Sequence, residues 1–210
     1  MLICCLRRTV VLAALVAFTG CSVRGAQTST TETLVLFRHG EKPQKGLGQL
    51  TCRGLNRSLA LPSVLIGKYG NPEALFAPDP AVQVHDGILS SYSYVRPLAT
   101  IEPTAIRLGM NVNAQIGYDQ IDRLQQELTN TKYASSTVFI AWEHVYEERF
   151  ARNLIKSFGG DPGQVPAWSN SEYDMIYVIR LTHSGGRTSV AFNVDHEGLN
   201  DRIGDECPVR

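Results

Sequence analysis

The chain has 210 residues, 43% apolar and 19% charged, an ordinary globular composition with enough length for one sizeable core. Twenty Lys plus Arg against twenty Asp plus Glu leave no formal net charge, and the basic residues are scattered along the sequence. That excludes the basic domain or stripe of a nucleic-acid binder, so any arginine that matters acts locally.

Residues 1–20 read as an export signal. Arg7 and Arg8 precede the apolar run Val10 to Phe18, which ends in the small residues Thr19-Gly20. The run is shorter than the roughly 20 apolar residues that a membrane span needs. Phe18-Thr19-Gly20-Cys21 resembles a bacterial lipoprotein box, with Phe18 standing where that box usually has Leu. This resemblance implies lipidation of Cys21 and attachment to a membrane; the alternative is ordinary cleavage near Ala26. Residues 21–32, rich in Ser, Thr and Gln, read as a tether. Ser22 stands where an Asp often signals inner-membrane retention, which favours a periplasm-facing place on the outer membrane. The expected folded domain is 33–210.

Of five cysteines, Cys4, Cys5 and Cys21 fall in this leader, leaving Cys52 and Cys207. In an oxidising compartment these two form either one disulfide or two separate buried thiols. A bridge would close a very long loop, on the order of 5 kcal/mol in the chain-entropy account. No Cys-x-x-Cys spacing occurs, so neither structural zinc nor another cofactor is expected.

In chain order, Leu34-Val35-Leu36-Phe37 is a continuous apolar run, the mark of a buried strand. Thr51 is a suitable N-cap for a helix running toward Pro62, which kinks or ends it, with Leu55 and Leu59 on one face. Ala74 to Ala77 form a short strand closed by Pro78-Asp79-Pro80, and 81–94 read as loop. A helix starts at Arg96 with Pro97 in its first turn, spaced by Leu98, Ile101, Ala105 and Leu108. Ile121, Leu124 and Leu128 mark another helix. Thr137 to Ala141 form the next buried strand, and Tyr146, Phe150, Leu154 and Phe158 mark a helix packed on a core. Tyr173 to Leu181 and Thr188 to Val194 flank a turn as a C-terminal strand pair. The expected fold is α/β: a three-layer sandwich with a mainly parallel sheet, helices on both faces and a C-terminal hairpin or mixed edge.

Chemistry gathers where apolar strands end. His39 follows the first strand, His144 follows a later one, and Arg96 opens a helix; open α/β sheets keep their ligand sites at such carboxyl ends. Arg38, His39, Arg96 and His144 in one crevice suit a phosphoryl group above other ligands. Arginine offers permanent, planar, bidentate hydrogen bonds to phosphate oxygens, and a neutral imidazole is an accepted nucleophile.

Leu36-Phe37-Arg38-His39-Gly40-Glu41-Lys42-Pro43 resembles the Arg-His-Gly signature of the histidine phosphatase (phosphoglycerate mutase-like) superfamily. Thr51-x-x-Gly54-x-x-Arg57 is similar to the helix that follows it there, and Arg96-x-x-x-Thr100 to a later segment. Ala141-Trp142-Glu143-His144 sits where the second histidine follows a strand, in a Trp-Glu-His variant similar to an uncharacterised, here exported, branch. The anchors run in order from residue 34 to 144. The resemblance implies a phosphohistidine on His39, Arg38 and Arg96 clamping the phosphoryl oxygens, and His144 bonding the same group. Glu41 would orient His39 or Arg38, Lys42 would extend the positive field, and Arg57 would either approach the pocket or cap the helix surface, the surface being favoured. It departs from the family at the general acid: Val145 stands where acid phosphatases often have Asp. Glu143 is the first candidate, with Glu147, Asp86, Asp119 and Asp122 open; a leaving group of low pKa needs little protonation, so the absence of an acid is also open.

The expected function is metal-independent hydrolysis of exported phosphomonoesters or phosphoanhydrides. The alternative is a phosphate- or phospholigand-binding module without turnover; a phosphoglycerate-type mutase is disfavoured by the export signal. The expected partner is a small phosphorylated substrate, with membrane attachment through the N-terminal lipid and no nucleic acid or protein partner inferred.

Overall fold

The computed structural model describes residues 28–86 and 90–208. The export signal, Cys21 and the first part of the tether lie outside the described residues. Six strands form one sheet in the order β5-β2-β6-β1-β7-β8. β1 (Thr30–Arg38), β2 (Ala74–Pro78), β5 (Val112–Ile116) and β6 (Thr137–Trp142) run parallel. β7 (Met175–Ser184) and β8 (Arg187–His196) add an antiparallel edge. The fold is therefore the expected three-layer arrangement with a mixed C-terminal edge.

Alternation along the central strands builds two cores. Leu34 and Leu36 of β1, with Val138, Ile140 and Trp142 of β6, face α3 (Ile121–Leu128) and α4 (His144–Ser157). Val35 and Phe37, with Phe139 and Ala141, face α1 (Cys52–Tyr69) and α2 (Arg96–Leu108). A strand buried on both faces must be apolar at every position, which is why these runs were readable. Among the described residues no helix is long and apolar enough to cross a membrane.

Four expectations change. Thr30 to Glu32, read as tether, belong to β1, because β7 is long enough to pair with them back to His183. The segment 81–94 holds a two-stranded ribbon, β3 (Gln83–His85) and β4 (Ser91–Ser93), apart from the main sheet. α1 continues through Pro62 to Tyr69, with Leu61, Pro62 and Leu65 all buried. Its inward face is also rotated: Gly54, Arg57, Ser58 and Leu61 are buried, while Leu59 is 52% exposed. A close approach sets that rotation. A Cβ on Gly40 would lie 2.8 Å from the Gly54 carbonyl oxygen, and one on Gly54 would lie 2.5 Å from that of Glu41. Two glycines let the turn after β1 sit directly on the first turn of α1, where Thr51 caps the Gly54 N–H at 3.1 Å.

The chain's last described segment crosses back over α1. Arg53 and Asn56 donate to the carbonyls of Ile203 and Gly204, and Cys52 is bonded to Cys207. The pair question left open by the sequence is thus answered as one disulfide spanning 155 residues.

Candidate active site

β1 and β6 are neighbours in register, Arg38 opposite Trp142, so the residues that follow them emerge side by side. His39 donates its backbone N–H to the Trp142 carbonyl at 3.0 Å. Glu143 caps α4, and His144 is that helix's first residue. α2 brings Arg96 from the other face, its N–H bonded to the Gly48 carbonyl and its Thr100 hydroxyl accepting the Gly40 N–H at 3.0 Å.

His39 is 1% exposed, and its Nδ1 lies 2.7 Å from the Gly40 carbonyl oxygen. A carbonyl only accepts, so Nδ1 carries the hydrogen and Nε2 presents its lone pair. Burial and the Arg96 charge hold the imidazole well below its ordinary pKa, with Arg38 and Lys42 adding to them and the Gly40 bond opposing. The ring is therefore neutral at neutral pH. Tyr94 stands edge-on to it at 6.0 Å, and Tyr173 lies 6.4 Å away.

The two site arginines are incompletely served. Arg38 donates through Nη1 to the carbonyls of Asn170 and Glu172, both at 2.9 Å, and stacks 3.9 Å above the Tyr173 ring. Its Nε has no partner. Arg96 meets the Asp86 carboxylate through Nη1, with a second approach of 3.5 Å at Nη2, and its Nε is also unpartnered. His144 is 4% exposed, with Nε2 at 2.7 Å from Asn170 Oδ1 and Nδ1 at 2.5 Å from Glu143 Oε1. The loop carrying Asn170 thus holds both Arg38 and His144.

The acidic residues fall into different places. Glu143, the first acid candidate, spends Oε2 on the Val145 and Tyr146 N–H groups and turns Oε1 to His144. Burial raises its pKa, but His144 and the cap bonds outweigh that and leave it lowered, so its geometry is that of a cap and not of a proton donor. Glu147, one turn further, is 1% exposed and neither of its oxygens has a side-chain partner; burial, with Glu143 beside it, pushes it well above the carboxylate range against Arg38 and the Trp142 backbone. Asp119 and Asp122 are exposed near α3. Val145 is 57% exposed, outside the site. Lys42, half-exposed, lies 3.9 Å from Asp86.

Glu41 and Arg57 differ from expectation together. Glu41 turns away from His39 and Arg38 and accepts from Arg57 Nε and Nη2 and from Arg53 Nε. Arg57 is fully buried, not on the surface, because the Gly40–Gly54 contact rotates it inward. There it also meets Glu197, Asp174 and Asn200. Asn170, Tyr173 and Asp174 carried no sequence signal: they arrive from a loop more than 100 residues away.

No protein-family model matches the chain, and no curated protein sequence matches it. Solved structures do. One assigned as the phosphohistidine phosphatase SixA from Nakamurella multipartita is 16% identical with a TM-score of 0.51, covering 79% of this chain and 96% of that one. A mycobacterial glucosyl-3-phosphoglycerate phosphatase, solved with inorganic phosphate, is 14% identical with a TM-score of 0.53, covering 78% and 95%. A phosphoglycerate mutase from Bacillus anthracis is 10% identical with a TM-score of 0.50, covering 78% and 92%. At such identities the likeness is one of architecture, and the architecture of this chain is the histidine phosphatase fold.

Proposed function

We propose that the chain is a metal-independent phosphohydrolase of phosphomonoesters or phosphoanhydrides that works through a phosphohistidine on His39. The observation that carries this reading is the Nδ1 bond to Gly40, which leaves a neutral Nε2 beside two buried guanidiniums. Nε2 attacks phosphorus, the P–O bond to the leaving group breaks, and the leaving oxygen takes a proton. Water then attacks phosphorus, the P–N bond breaks, and orthophosphate leaves with His39 restored. Arg38 and Arg96 neutralise charge on the phosphoryl oxygens, each worth on the order of 10²–10³ in rate by analogy with lost oxyanion donors. The phosphate held by the mycobacterial relative of the same fold is consistent with this.

Phosphate release from p-nitrophenyl phosphate and a small phosphoester panel, with EDTA present, tests the reading against a His39→Ala twin. Turnover that survives EDTA and vanishes in the twin supports it. Equal activity in both proteins sinks His39 as nucleophile. Phosphate binding without turnover selects the second reading, a phospholigand-binding module, which draws on the near-complete burial of Arg38, His39 and Arg96.

The leader adds place to this proposal: export, and a lipid on Cys21 facing the periplasm from the outer membrane. Metabolic labelling with a tagged fatty acid, present in the wild type and absent in Cys21→Ala, is the result expected; label in neither leaves ordinary cleavage.

A further inference from the structure

The site as described has a nucleophile and two clamps but no obvious donor for the leaving oxygen. Glu143 is committed to the α4 cap and His144. Glu147 is enclosed one turn deeper, and Asp119 and Asp122 stand out in solvent. Asp86 is different. It follows β3, on the ribbon that lies apart from the main sheet, and its carboxylate sits on the Arg96 guanidinium. It also accepts the Gly48 N–H at 3.0 Å and lies 3.9 Å from Lys42.

This seat is built into the chain. Gly46, at φ +73°, has no room for a side chain: a Cβ there would lie 2.2 Å from Asp86 Cγ. Gly48, at φ +64°, likewise closes against Ser93. Two glycines therefore let the loop after β1 wrap the Asp86 carboxylate against Arg96.

We propose that Asp86 is the general acid of this site, displaced from Arg96 by the incoming phosphoryl group and left beside the leaving oxygen. This rests on the phosphohydrolase reading above. A carboxylate and two phosphoryl oxygens compete for the same guanidinium edge. Once a phosphoryl dianion takes Arg96, Asp86 loses its nearest counter-ion, keeping only the more distant Lys42, and faces a like charge. At rest, the Arg96 and Gly48 bonds outweigh burial and hold it below the usual carboxylate range; the exchange reverses that balance, so it takes up a proton from solvent. As Nε2 attacks, the P–O bond breaks and this proton passes to the leaving oxygen. In the second step the Asp86 carboxylate takes a proton from the attacking water, and the P–N bond breaks.

The test is the leaving group. The purified full chain in detergent, its Asp86→Asn variant and its Glu143→Gln variant are compared on p-nitrophenyl phosphate and on an alkyl phosphate such as β-glycerophosphate. Asn keeps the size of Asp and its bond to Gly48, and the melting temperature checks that the variant folds. A good leaving group needs little protonation, so the expected result is a loss in kcat/KM of about 10²-fold or more on the alkyl ester and below tenfold on the aryl ester. Asp86→Glu, which keeps the acid one methylene away, recovers part of the alkyl activity. Equal loss on both esters would make Asp86 a mere support for Arg96 and overturn the proposal, as would no loss on either. A selective loss in Glu143→Gln instead would transfer the role. A wild type without turnover, or one unaffected by His39→Ala, would bring down the phosphohydrolase reading itself.

Discussion

Two buried arginine clusters lie on either side of the turn after β1, and they are built on opposite terms. Arg57 meets three carboxylates, from Glu41, Asp174 and Glu197, and an amide oxygen from Asn200. Burial alone would lower its pKa, yet Glu41 and Glu197 raise it above the ordinary value, so the charge is locked in. Arg38 and Arg96 have carbonyls, one carboxylate and two orphaned Nε groups between them. The same residue type at the same depth is closed off by anions in one cluster and left with unpaired donors in the other; on the function proposed above, that surplus and not the burial marks the site.

Breaking the saturated cluster has the largest expected effect. Arg57→Ala strands three carboxylates, of which Glu197 is fully buried, and is expected to cost about 3–5 kcal/mol in urea unfolding. Arg57→Lys restores a charge but not the fork, so it recovers only part of that loss. A stable Arg57→Ala protein with lost turnover would erase the distinction between the clusters.

Arg96→Ala sharpens it from the other side. Turnover is expected to fall by on the order of 10²–10³, while stability falls by less than in Arg57→Ala, because one buried carboxylate loses its arginine instead of a cluster. Asp86 keeps the Gly48 N–H and Lys42 after the change, so it is not left alone. A stability loss as large as that of Arg57→Ala would mean that Arg96 is a structural ion pair.

Buried acids without a full partner set the pH dependence of stability. Burial lifts Glu32 to about 8, with His183 Nε2 3.9 Å away. Glu32 starts from 4.5, so between 4.5 and about 8 the folded state holds a proton that the unfolded state has released. Stability is then greatest at the acid end of that window and declines as pH rises through it. Melting temperatures at pH 5 and 8 should therefore drop less in Glu32→Gln than in the wild type. An identical drop would remove Glu32 from the account.

Much of this was legible in the sequence, for identifiable reasons. Leu34 to Phe37 of β1 and Val138 to Trp142 of β6 are buried on both faces and so are apolar without interruption; His39 directly follows β1, and His144 follows β6 after Glu143. β5, with only Ile116 buried, and the three-residue strands β3 and β4 had too little pattern to be seen. Leu55 and Leu59 pointed to the wrong face of α1, because the contact that sets its rotation is between two glycine backbones and leaves no hydrophobic mark. That one rotation also hid the role of Arg57 and, through it, the direction of Glu41.

Glu147 gives the finest test of the contrast between the clusters. It lies within electrostatic reach of Arg38 and of the Trp142 backbone, yet neither carboxyl oxygen has a side-chain partner, and burial and Glu143 oppose a second negative charge. A buried acid in that position keeps its proton, since an isolated buried carboxylate costs far more than the neutral acid. Glutamine is nearly isosteric with that neutral acid. Glu147→Gln should therefore cost no more than about 1 kcal/mol of unfolding free energy at neutral pH, well short of the roughly 3–5 kcal/mol of a broken buried ion pair. It should also leave turnover on p-nitrophenyl phosphate unchanged. Were Glu147 ionised and serving Arg38 as Glu41 serves Arg57, the same substitution would lower stability and loosen Arg38. The cluster of Arg38 and Arg96 would then hold a hidden carboxylate, and its cationic surplus would be smaller than its hydrogen bonds indicate.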